Sequence, residues 1–118
     1  MAADTRDLIG RAIDTLWRDV PALRQLRLVV RLELPARGDD AVWRVELPDK
    51  NVSRDPAGDA RVDVTVPRIF FNALVGDPKA SIRDWVEAYD HGHVKVAGEP
   101  AVVRLVGNVI ERQLARAR

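Results

Sequence analysis

The chain has 118 residues, 47% hydrophobic and 31% charged, with a formal net charge of +1. That length fits a single domain spanning 1–118, and the near-neutral balance gives no electrostatic case for binding nucleic acid or an anionic membrane. Cysteine is absent, which removes disulfides, thiolate nucleophiles and thiolate metal ligands and agrees with a reducing cytoplasm.

The opening "MAADTRDLIG" carries two acids and no apolar run, so no secretory leader is expected. No stretch approaches the roughly 20 apolar residues of a membrane span, so no stable membrane insertion is expected either.

In chain order, the first predicted element is a helix from about Thr5 to Val20. Leu8, Ile9, Ala12, Ile13, Leu16, Trp17 and Val20 fall on one face at a 3.6 period. Asp4 is the predicted N-cap, Asp7 sits in the first turn, and Pro21 ends the helix. The period then changes to two. Leu26, Leu28, Val30, Leu32 and Leu34 alternate with Arg27, Val29, Arg31 and Glu33, which is a strand with one buried and one wet face. After the turn cluster "PARGDD", Ala41, Trp43, Val45 and Leu47 alternate with Val42, Arg44 and Glu46, completing a hairpin.

Val52 marks a short edge strand, and "RVDVTV" from Arg61 to Val66 is the next clear one, with Val62, Val64 and Val66 inward. The outward set Arg27, Arg31, Glu33, Arg44, Glu46, Arg61 and Asp63 reads as a solvated, charge-paired face. Pro67 opens a short helix carrying Ile69, Phe70, Ala73 and Leu74, with Gly76 past its end and Pro78 blocking continuation. A second helix follows, capped by Ser81 and closed by Gly92, with Ile82, Trp85, Val86 and Tyr89 on one face. "HVKVA" is a strand with Val94 and Val96 inward, and Gly98 permits a tight turn. Pro100 starts the last helix, striped by Val102, Val103, Val106, Val109, Ile110 and Leu114, with Arg112, Arg116 and Arg118 toward its C-terminus. Mainly antiparallel strands with grouped helices make an α+β fold.

Candidate chemistry is thin. His91 and His93 are two residues apart, but a metal site needs further ligands and no cysteine exists; they read as helix-end and turn residues. The two serines, Ser53 and Ser81, lie outside any nucleophile-elbow pattern. "GEPAVV" sets a helix N-terminus after a strand, but Glu99 would repel a phosphate there. Phe70 and Phe71 diverge by about 100° on a helix. Either one faces the sheet and the other a cavity, or both are core.

Four stretches carry a resemblance. "RVDVTV" resembles the aspartate-containing strand, "VWRVEL" the tryptophan-containing strand, and "FFNALVGDPKASI" the short helix and its glycine-aspartate turn of the sterol carrier protein type 2 family. "AYDHGHVKVAGEPAVVRL" is similar to the same family's glycine, lysine-bearing strand, second glycine and apolar helix. Together they span about Leu26 to Ile110.

The resemblance implies a five-stranded, mostly antiparallel sheet covered on one face by helices, with an apolar tunnel between them. It implies non-catalytic binding of a fatty acyl, isoprenoid or sterol-like lipid for carriage or presentation, with no metal, cofactor or catalytic residue. The implied cavity walls are Phe70, Leu74, Trp85, Val86, Leu105, Val106 and Val109 on helices, with Trp43 and Val45 from the sheet. A short arginine-rich chain reads as bacterial, which favours an acyl chain or polyisoprenoid over a sterol. The expected state is a monomer or weak dimer in the cytoplasm. The rival reading keeps the fold but fills the core, giving an interaction domain that supports a partner enzyme of lipid or quinone biosynthesis.

Overall fold

The computed structural model describes residues 4–116; the predicted C-terminal Arg118 lies outside the described residues. The elements are α1 (Thr5–Asp19), a 3-10 turn (Pro21–Gln25), β1 (Leu28–Ala36), β2 (Asp39–Leu47), β3 (Asn51–Arg54), β4 (Val62–Thr65), α2 (Arg68–Gly76), α3 (Ile82–Asp90), β5 (Lys95–Gly98) and α4 (Pro100–Arg116).

The Asp4 carboxylate accepts the Arg6 N–H and so caps α1, and Val20 closes the helix one residue before Pro21. Several boundaries differ from the sequence pattern by a residue or two, those of α2 among them. Pro67 is the N-cap of α2 rather than its first helical residue, and Gly76 is its last helical residue rather than the one beyond. Helix ends are where local propensity is weakest as a guide.

The strands form one sheet in the order β3-β2-β1-β4-β5. Every ladder is antiparallel except β1 with β4. The β1–β2 turn is tighter than "PARGDD" suggests, because both strands run into that segment and leave only Arg37 and Gly38 between them. Gly38 takes φ +81°, open to glycine without strain.

Register sorts the two faces. Val30 opposes Val45 and Val62, Leu32 opposes Trp43 and Val64, and Val64 opposes Val96, so all of these share the helix-covered face. The other face carries the charges. Arg44 pairs with Glu46 at 2.7 Å and with Asp59 at 2.8 Å, and Arg31 with Glu33 at 3.3 Å. Asp59, and then Glu46, push the Arg44 guanidinium above its ordinary range; Arg44 in turn holds both carboxyls below theirs. These groups are open to water, so the pairs fix register more than they stabilise.

The core joins α1 (Ile9, Ile13, Trp17), the residues after it (Val20, Leu23), the sheet (Leu34, Ala41, Trp43, Val45, Val52, Val66) and Phe71, Ile82, Ala88 and Val94. No described polar or charged residue is buried in it. Asp19 closes α1 onto α3: its carboxylate accepts the Ile82 N–H at 2.9 Å and pairs with Arg18. The Arg18 bond, with help from the Ile82 N–H, holds the Asp19 carboxyl below the usual range against the opposing effect of burial.

Candidate functional site

On the helix-covered face, three residues of β2 are sealed, and Leu47 at its end is half-buried. Ala41, Trp43 and Val45 are 1%, 6% and 4% exposed. Toward the other edge Val62 of β4 is also buried, at 7% exposed, but most of its neighbours are not. Val30 and Leu32 on the central strand β1, Val64 on β4 and Val96 on β5 are only half-buried. A central strand of a covered sheet is normally its deepest part, so apolar surface left open there marks incomplete cover. The upper ends of the same strands are closed: Leu34 and Val66 are fully buried, with Phe71 of α2 also in the core.

The covering element on the open side is α4. Its stripe of Val102, Val103, Val106, Val109, Ile110 and Leu114 is where the period placed it, yet this 17-residue helix contains no fully buried residue. It packs against β5 and the 3-10 turn, and Arg83 donates to the Leu114 carbonyl at 3.4 Å, tying its end to α3. At its start, Gly98 takes φ +131°, and a Cβ there would sit 2.3 Å from the Arg61 carbonyl oxygen. That same oxygen accepts the Glu99 N–H, and the Glu99 carboxylate pairs with Arg61 at 2.8 Å. Sequence reasoning set Glu99 against an anion at this helix start; the structure commits the carboxylate to Arg61.

The residues named from the sequence distribute unevenly. Val106 and Val109 of α4 and Trp85 and Val86 of α3 are half-buried and pack against the core. Leu74 does the same from α2. Trp43 and Val45 belong to the sealed part of the sheet, and Leu105 lies at the edge of the α4 stripe, 48% exposed. Phe70 is 39% exposed and stacks on the His93 ring at 4.1 Å, whereas Phe71 is 1% exposed and lies 6.0 Å from Trp85. The pair therefore splits, with Phe71 inward. Among the residues not named as walls, Val30, Leu32, Val64, Val96, Ile110 and Leu114 also border the half-open region. Alternation and the helical stripe had already placed each of them inward.

Other chemistry is sparse. His91 and His93 stand edge to face with ring centroids 6.4 Å apart, and among the described residues no group of three or more potential metal ligands comes together. No helix among the described residues is long and apolar enough to cross a membrane. Two open clefts, of about 310 and 400 Å³, lie outside the helix-covered interior. The first is lined mainly by Arg27, Glu46, Asp49, Asp59 and Arg61, the second by Arg31, Val42, Arg54, Asp55 and Pro56.

No family model and no curated protein sequence matches the chain. Solved structures do. The solution structure of palmitated SCP2L2 from Aedes aegypti superposes with a TM-score of 0.58 at 20% identity, covering 86% of this chain and 93% of that one. The crystal structure of sterol carrier protein 2 like 2 from Aedes aegypti gives 0.54 at 18%, covering 98% and 100%. A UbiJ-SCP2 ubiquinone synthesis protein gives 0.49 at 21%, covering 93% and 99%. The strand order, the helices on one face and the two Aedes aegypti superpositions agree: the chain folds as a sterol carrier protein type 2-like domain.

Proposed function

We propose that the protein is a non-catalytic cytoplasmic carrier that holds one aliphatic lipid chain between α4 and the β1–β4–β5 side of the sheet. The observation behind this reading is the half-buried apolar surface of Val30, Leu32, Val64 and Val96, facing helices whose own apolar stripes are also half-buried. Covering such surface is worth about 25 cal/mol per Å², so a chain that occludes a few hundred Å² binds after association costs are met. The palmitated state of the Aedes aegypti SCP2L2 structure makes a fatty acyl chain the first ligand to test. Trp85 and Val86 of α3, Val106 and Val109 of α4 and Leu74 of α2 are the proposed walls. Phe70 and Leu105 stand at the rim, and Trp43 and Val45 form the sealed floor beside it.

The test is titration of delipidated protein with palmitate, read by native mass spectrometry and by the melting temperature. A one-to-one complex and a rise in melting temperature that grows with ligand concentration are expected. No complex and no shift, with palmitate or a polyisoprenoid, would sink the reading. That result would favour the second one, an interaction domain serving a partner enzyme. Its specific support is that both clefts lie on the charged side and rim rather than under the helices.

A further inference from the structure

Trp43 is 6% exposed, and its indole Nε1–H is buried with no acceptor among the described residues. Such a donor costs free energy in the unliganded core. Its ladder partners lie on two sides. On one is Leu32, part of the half-open apolar region; on the other is Arg54 of the edge strand β3. The Arg54 guanidinium carbon lies 5.2 Å from the indole centroid, and the side chain makes no ion pair or hydrogen bond with any described residue. An apolar surface, a sealed donor and a cation whose one described contact is the donor's own ring thus follow one another along a single cross-strand row. That order matches the order of groups in a fatty acid: an oxyanion attached to a chain.

We infer that Trp43 Nε1 and Arg54 receive the carboxylate of a fatty acid whose tail runs across Leu32 beneath α4. The inference rests on the lipid-binding reading and adds to it a polar end and a direction. Charge-assisted hydrogen bonds are about twice as strong as neutral ones, so the site discriminates by charge as well as by length. A neutral chain of the same length gains burial but not the Arg54 interaction.

The experiment measures affinities of the delipidated full chain for palmitate and for hexadecanol, by displacement of a fluorescent fatty acid. The informative quantity is their ratio. Loss of packing at Trp43→Phe weakens both ligands together and leaves the ratio alone; loss of the N–H does not. The ratio is expected to fall about 10-fold in Trp43→Phe and again in Arg54→Gln, with hexadecanol affinity nearly constant in the latter. A ratio that keeps its wild-type value in Trp43→Phe overturns the proposal, whatever Arg54→Gln does, and leaves lipid binding standing. Wild type that binds neither ligand removes both readings. Should Trp43→Phe not fold, the indole proton resonance of Trp43 in wild type decides: a downfield shift on adding palmitate supports the contact, and an unmoved resonance in a saturated complex overturns it.

Discussion

The two sides of the sheet's covered face are built from the same kinds of residue and end differently. Under α1, the β2–β3 side is closed: Ile9, Ile13, Trp17, Trp43, Val45 and Val52 are all buried. Under α4, the β1–β4–β5 side keeps accessible apolar surface on sheet and helix alike. Both helices are amphipathic, so pattern alone does not separate them. What separates them is how each is held. α1 is locked at its end by Asp19 onto α3 and packs on α2, α3 and β3. α4 is fixed mainly at its start, through Gly98 and Glu99, and touches the rest of the fold more sparingly. In the carrier proposed above, α1 would serve as the rigid wall and α4 as the one that yields.

The same substitution on the two helices is the strongest way to break this comparison. Ile13→Ala on α1 deletes a fully buried side chain and should cost about 3 kcal/mol in urea unfolding. Ile110→Ala on α4 should cost about 1 kcal/mol, since its side chain is only partly buried. Equal costs would mean that α4 packs as tightly as α1. Gly98→Ala comes next, at about 2 kcal/mol, because a left-side φ and a backbone clash with Arg61 must both be relieved. Its loss should appear first as faster amide exchange in α4 and β5, not in α1.

The smallest effect concerns Asp19, which holds the closed side together. Its carboxyl is held below the ordinary range in the folded protein. Its contribution is therefore complete above the unfolded carboxyl's titration and is lost as pH falls through the lowered folded value. Asp19→Asn should cost about 1 kcal/mol near neutral pH, as for a lost helix cap, and should flatten the acid limb of a melting-temperature profile. An unchanged acid limb would mean that other carboxyls set it.

Much of this was legible in the chain. Period-two alternation placed Val30, Leu32, Val64 and Val96 on the inner face, and the 3.6 stripe placed Val106, Val109 and Ile110. The 3-10 turn Pro21–Gln25 was not legible, because "PALRQ" has no period and its burial of Leu23 depends on what packs over it. Nor was the choice between Phe70 and Phe71: a nine-residue helix offers both a plausible inward face, and the neighbours Trp85 and His93, distant in sequence, decide it. Half-burial under α4 is likewise a matter of spacing between elements, set by the Gly98 contact and the 3-10 turn, and no local pattern encodes a distance of that kind.

The order of strands also protects the molecule from its own kind. The two nine-residue strands lie inside the sheet, and both edges are four-residue strands. An edge that short gives another chain little backbone to zip onto, and Arg54 on one side and Lys95 on the other place a cation there. The sheet margins are thus unattractive despite the half-buried apolar surface beside them, and concentrated solutions should resist strand-to-strand clumping.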